Sequence, residues 1–183
     1  MRIVVVGTSG AGKSHFAQAL AQARGCSHIE LDALFWDADW TPQPTPAFLA
    51  RIDAATTGAH WVADGNYSVA RTLLWGRATH IVWLDYGRGR VLWRVFSRTL
   101  RRTLRREALW AGNTESLKRA FFSRQSILLW AMTTWRKNRV KYAALQADPA
   151  YGHLRWQRFT APRQASDFLA AQPGPDHRPQ GAE

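Results

Sequence analysis

The 183-residue chain predicts an α/β fold, a parallel sheet with helices on both faces. Three observations carry that expectation. Apolar, β-branched runs alternate with helical patterns, the order that gives parallel strands joined by crossover helices. The first run, Ile3-Val4-Val5-Val6, leads straight into Gly7-Thr8-Ser9-Gly10-Ala11-Gly12-Lys13-Ser14. Polar residues then recur where strands should end, at residues 7–14, Asp32, Asp64 and Asp85. In such sheets that is the edge where ligands bind.

The elements read in order as follows. Residues 2–6 form the first strand and 13–24 the first helix, apolar at Phe16, Ala19, Leu20 and Ala23. Residues 27–31 form a short second strand. Pro42, Pro44 and Pro46 mark a loop before a helix over 46–57 with proline in its first turn. A third strand over 60–63 runs into Asp64-Gly65, with a short helix expected over 66–75. The fourth strand, 80–84, closes at Asp85. Two long helices are expected over 88–111 and 115–146, parted by Gly112-Asn113. A fifth strand over 154–159 and a helix over 163–171 complete a single domain, residues 1–172. Residues 173–183, rich in Pro and Gly, read as a disordered tail.

Bulk composition narrows the partners. Cys26 is the single cysteine, so neither an internal disulfide nor a cysteine-based zinc cluster is available. The N-terminal apolar run is too short for a signal peptide, and no stretch approaches 18 apolar residues. A reducing, cytoplasmic setting without membrane contact is the expectation. Net charge is +12, and its placement is uneven. Residues 88–141 hold 15 Lys/Arg against Glu107 and Glu115, whereas the rest holds 10 basic and 11 acidic residues. Polyanions, either nucleotide phosphates or nucleic acid, are the partners such a field attracts. Of the ten tryptophans, Trp83, Trp93 and Trp130 fall on apolar faces and are expected in the core. Trp36 and Trp40, in a polar proline-bearing segment, are expected to be exceptions.

Residues 7–14 fit G-x-x-x-x-G-K-[ST], the phosphate-binding loop between a strand and a helix. Its glycines let Gly7, Thr8, Ser9, Gly10, Ala11 and Gly12 turn backbone N–H groups onto an anion. Lys13 then reaches the β- and γ-phosphates, and the Ser14 hydroxyl ligates Mg²⁺. The helix that follows aims its positive end at the same phosphates. ATP with Mg²⁺ is therefore the expected ligand, and the three-layer P-loop NTPase fold the expected architecture.

The remaining candidates are weighed against plainer roles. Asp85 either holds Mg²⁺ or caps the helix after it. Asp64 is the alternative Mg²⁺ partner, against a simple Asx turn at Gly65. Asp32 takes a proton from a hydroxyl acceptor, holds a ribose or base, or only caps a helix. Arg90, Arg94, Arg98, Arg101 and Arg105, spaced by 4, 4, 3 and 4, share one helix face. Leu92, Val95, Phe96, Thr99, Leu100 and Thr103 cover the other side. A solvated basic face normally interleaves acids, and none precedes Glu107 here. Arg136, Arg139 and Lys141 offer a second set. Together the two sets form a basic helical lid able to close over a triphosphate.

With these residues the chain resembles the adenylate-kinase-like group of P-loop proteins. More narrowly it resembles the DNA topology modulation (FlaR-related) proteins. The likeness spans about residues 1–145. It rests on the loop, Leu31-Asp32-x-x-x-Trp36, Trp61-Val62-Ala63-Asp64-Gly65-Asn66-Tyr67-Ser68, Leu84-Asp85, Leu92-Trp93-Arg94-x-x-x-Arg98, Glu115-Ser116-Leu117 and Arg136-x-x-Arg139-x-x-Tyr142. It implies five parallel strands, an acceptor region and a mobile lid. It places Asp64, Gly65 and Arg71 near the acceptor, and Arg94 and Arg98 beside the donor nucleotide. The loop lacks the proline common in adenylate kinases, His15 follows Ser14, and the acceptor pocket is not recognisable residue by residue. The expected activity is transfer of the γ-phosphoryl of MgATP to a nucleotide or other small acceptor. A nucleic-acid-binding protein that uses ATP as a switch, and a nucleotide-binding regulator with little turnover, are the alternatives.

Overall fold

The computed structural model describes residues 1–105 and 127–172. Strand β1 (Arg2–Gly7) lies at the centre of the sheet, between β3 (Trp61–Asp64) and β4 (His80–Leu84). The edges are β2 (Ser27–Glu30) and β5 (Arg155–Phe159). The order is β2-β3-β1-β4-β5, and every neighbouring pair is parallel.

A parallel sheet has to be covered on both sides, and the alternation along β1 shows how. Val4 and Val6 join Ile29, Ala63, Ile81 and Trp83 on one face, while Ile3 and Val5 join Val62, Val82 and Phe159 on the other. Helix α1 (Lys13–Ala23) covers the second face with Phe16, Leu20 and Ala21. After the short α2 (Leu31–Phe35), α3 (Thr45–Ala55) packs Phe48 and Ile52 on the first face. Helix α4 (Arg71–Arg77) adds Leu74 and Trp75 there. Helix α5 (Arg88–Arg105) returns to the α1 side through Val91. Helix α6 (Ile127–Ala147) seats Tyr142 on the first face, and α7 (Pro162–Ala170) sets Ala165 on the second. Trp61 and Trp83 are the largest side chains left almost without solvent. Burying about 150–250 Å² of each ring contributes about 4–6 kcal/mol. Trp61 also donates its indole N–H to the Thr56 carbonyl at 3.2 Å, so its burial strands no polar atom.

Helix α1 stops where glycine permits the reversal. Gly25 N–H donates to Gln22 O at 3.2 Å and Cys26 N–H to Ala21 O at 3.0 Å, a Schellman ending that turns the chain into β2. Pro46 lies in the first turn of α3, as its fixed φ favours.

Several expectations shift. Leu31 opens α2 instead of closing β2, which puts Asp32 in the first turn of a helix. The helix expected over 66–75 begins only at Arg71, because Asn66 and Tyr67 spend their side chains on tertiary hydrogen bonds described below. Trp93 is 67% exposed rather than core. The residues of α5 that face inward are Val91 and Val95, and a residue two positions on from Val91 points to the opposite side of a helix. Trp83 is core as expected, and Trp36 and Trp40 pack edge to face at 5.7 Å, both half-buried. The Gly112-Asn113 break, Glu107, Glu115, the side chains of Arg105 and Trp130, and the tail 173–183 fall outside the described residues. Among the described residues no helix is long and apolar enough to cross a membrane.

Candidate active site

The carboxyl end of β1 runs directly into the loop, and two glycines set its shape. At Gly7 (φ +150°) a Cβ would stand 2.6 Å from the Leu84 carbonyl of the adjoining strand. At Gly10 (φ +81°) it would stand 2.4 Å from Val95 Cγ2 and 3.0 Å from the Val91 carbonyl. The loop is thus clasped between β4 and α5, with space only for hydrogen. Ala11 N–H closes an internal turn on Thr8 O at 3.0 Å, and α1 starts immediately after Gly12.

Lys13 lies at the base of the loop with its ammonium 3.5 Å from the Thr8 carbonyl. Desolvation pulls its pKa below the ordinary lysine value; nearby Asp64 and Asp32 oppose that shift and Arg98 adds to it. The Ser14 hydroxyl donates to Asp64 Oδ2 at 2.7 Å. The other oxygen of Asp64, Oδ1, bonds His28 Nε2 at 2.9 Å, and Asp64 is 3% exposed. Ser14, Asp64 and Lys13 therefore meet, as the loop pattern requires. The Ser14 and Asp64 oxygens are the hard donors that suit Mg²⁺.

Asp85 is placed differently. It accepts Arg158 Nε at 3.0 Å, a shorter bond from Arg158 Nη2, and Arg139 Nε at 3.1 Å. The Arg158 guanidinium also lies 4.4 Å over the Trp83 ring. Two cations thus hold the carboxylate expected to be a metal ligand. Asp32 accepts the Tyr67 hydroxyl at 2.5 Å, and burial and this carboxylate hold the phenol well above its ordinary pKa.

The arginines separate into two groups. Arg94, Arg98 and Arg101 line a cavity of about 390 Å³ that begins at Gly10, Ala11 and Gly12. Arg94 Nη1 donates to the Ala11 carbonyl at 3.2 Å and stacks 5.6 Å from the Tyr86 ring. His15 and Pro162 also line it. Arg136 is not in this cavity. With Arg139, Arg158, Trp83 and Trp135 it borders a second one of about 370 Å³, and the two cavities share no lining residue.

Sequence patterns pass over several residues that the fold brings in. Asn66 holds Gly7 from both sides, accepting from its N–H at 3.4 Å and donating to its carbonyl at 2.6 Å. Tyr142 of α6 donates to the same Asn66 oxygen at 2.8 Å. Asn66 directly follows Asp64-Gly65 within the Trp61–Ser68 motif, which assigns it no role of its own. Tyr142 carries a sequence signal only as the end of Arg136-x-x-Arg139-x-x-Tyr142, and nothing local marks His28, which acts across a long sequence separation.

The family model described as an AAA domain matches residues 3–148. That span covers most of the chain and includes the whole loop, Asp32, Asp64 and Asp85. The chain belongs to the AAA-domain family. No curated protein sequence matches it. Among solved structures, a gluconokinase from Sinorhizobium meliloti 1021 is similar over 92% of this chain and 91% of its own, at 21% identity and a TM-score of 0.50. At that identity the likeness shows the fold alone. This AAA-domain chain has the α/β P-loop NTPase architecture, five parallel strands with helices on both sides.

Proposed function

We propose that the chain is an ATP-dependent phosphotransferase acting on a small hydroxyl-bearing acceptor. The observation that carries this is the meeting of Lys13, Ser14 and Asp64 at one loop, with Asp32 close enough to Lys13 to influence its charge. A small-molecule kinase, the gluconokinase, shares the fold.

The backbone N–H groups of residues 7–14 cradle the phosphates, and Lys13 neutralises the β- and γ-oxygens. Arg94 and Arg98 stand over the loop, where they stabilise charge on the phosphoryl group in transfer and border the donor nucleoside. Ser14 and Asp64 are the residues that would hold Mg²⁺, in preference to Asp85, whose carboxylate two arginines already engage. Bound there, Mg²⁺ would supply positive charge that neutralises the phosphate oxygens. Arg136 borders the other cavity, so we leave it out of the donor site. A phosphate acceptor is ionised already and needs no base, whereas a hydroxyl has a proton to lose. Asp32, oriented by Tyr67, is the group placed to receive it.

A phosphoryl-transfer screen with MgATP against nucleoside monophosphates and small hydroxylated metabolites tests the proposal, with Lys13→Ala as control. An acceptor that raises turnover above background ATP hydrolysis in the wild type is expected, and the rise should vanish with Lys13→Ala. No such acceptor would end the kinase reading. Asp32→Asn then separates the acceptor types. Near-abolition is expected for a hydroxyl acceptor, and a modest loss would favour a nucleotide.

A further inference from the structure

His28 is the residue that this structure brings to the site without any motif behind it. It lies on β2, and the β2–β3 register sets Val62 opposite it and Asp64 opposite Glu30. Residues 62 and 64 share one sheet face, as do 28 and 30. The His28 ring crosses diagonally along that face to reach Asp64. Its Nε2 bonds Asp64 Oδ1 at 2.9 Å, while Ser14 Oγ bonds Oδ2 at 2.7 Å. Each carboxylate oxygen is therefore claimed by a different donor, one from the edge strand and one from the first turn of α1.

That division fixes the plane of the carboxylate. A carboxylate 3% exposed has little water to satisfy a vacated oxygen, so removal of the ring leaves Oδ1 short of a donor and the group able to turn. The oxygen shared with Ser14 would turn with it. We propose that His28 is a positioning residue for the metal-binding carboxylate: it holds Asp64 in the orientation in which Asp64 and Ser14 together receive Mg²⁺ on the nucleotide. The inference rests on the assignment of Ser14 and Asp64 made above, and His28 itself touches neither nucleotide nor metal. Such outer partners commonly change metal affinity by about 10- to 100-fold.

The test compares the affinity of a non-hydrolysable ATP analogue with Mg²⁺ and with EDTA, by calorimetry, so that no turnover is needed. The ratio of the two affinities measures what the cation contributes. His28→Ala should cut that ratio about ten-fold and leave the EDTA affinity where it was. His28→Gln, whose Nε2 lies about where the imidazole Nε2 does, should restore most of the ratio. His28→Asn ends a bond short of that position and should behave like alanine; it also provides a polar variant if the alanine protein does not fold. An unchanged ratio in both short variants overturns the proposal. So does an equal fall with and without Mg²⁺, which is the mark of a merely structural role, or a failure of glutamine to rescue. If the wild type itself gains nothing from Mg²⁺, the Ser14–Asp64 assignment falls and takes this inference with it.

Discussion

Replacing Gly10 with alanine tests whether the phosphate loop and α5 form one packed unit. Two costs add. Gly10 sits at φ +81°, a left-handed conformation that costs an L residue about 1–2 kcal/mol. Its new Cβ would also stand 2.4 Å from Val95 Cγ2 and 3.0 Å from the Val91 carbonyl. Val95 is fully buried, so it cannot swing into solvent, and overpacking of this kind costs about 1–3 kcal/mol. The expected loss is about 2–5 kcal/mol. Gly76 supplies the internal control. It lies inside α4 with nothing within 4 Å of the added Cβ, so Gly76→Ala should stabilise by about 0.5–1 kcal/mol. Urea unfolding with linear extrapolation reads both on one scale. If Gly10→Ala costs no more than about 1–2 kcal/mol, the amount its φ alone accounts for, while Gly76→Ala moves as expected, α5 does not pack on the loop. The placement of Arg94 and Arg98 over the phosphates would fall with it.

Two further tests address charge. The His80 pKa is lowered from 6.5, first by burial and then by Arg155 and the N-terminus, so the unfolded chain binds the proton more tightly than the native one. Stability should therefore fall as pH drops below about 6.5 towards the lower native value, and His80→Gln should reduce that fall in urea melts between pH 8 and 5; an identical slope refutes the assignment. Arg158→Ala removes a donor to the buried Asp85 and a guanidinium lying over Trp83. Because Arg158 is itself 37% exposed, the loss should be only about 1–2 kcal/mol, with the Mg²⁺ contribution to nucleotide affinity unaltered. A changed Mg²⁺ contribution would return Asp85 to the metal site.

The fold was legible because its signals are local. The β-branched runs, the G-x-x-x-x-G-K-S loop and the strand-ending acids each declare themselves within a few residues. The residues proposed for the donor side could be picked out for the same reason, since Lys13, Ser14 and the Arg94/Arg98 spacing belong to single elements. What could not be read depends on which strands become neighbours. Asp64 and Asp85 look equivalent in sequence, each an acid at the end of an apolar strand. They part only because β3 delivers Asp64 to Ser14, while β5 and α6 bring Arg158 and Arg139 to Asp85. Trp93 was misplaced for a related reason: both faces of α5 carry apolar residues, and only the contact of Val91 and Val95 with the loop decides which face turns inward.

The same logic divides the positive charge. Residues 88–141 look like one basic segment, yet Arg94, Arg98 and Arg101 line one cavity, Arg136 and Arg139 border another, and Arg90 is exposed. On α6, Trp135 donates to the Tyr86 carbonyl at 3.0 Å, Arg139 holds Asp85, and Tyr142 bonds Asn66. Spaced by 4 and 3, these three lie on one helix face and fasten the return helix to the ends of the strands. There a buried carboxylate balances part of the charge. On α5 the arginines face a cavity instead. Arg94, Arg98 and Arg101 line a cavity at a loop that already contains the desolvated Lys13, and the α5 sequence itself carries no acid. Such a concentration of cations attracts a polyanion. The loop and α5 are clasped through Gly10, so the cations cannot simply move apart. A triphosphate lying along residues 7–14, as proposed, is an anion of the kind that field attracts.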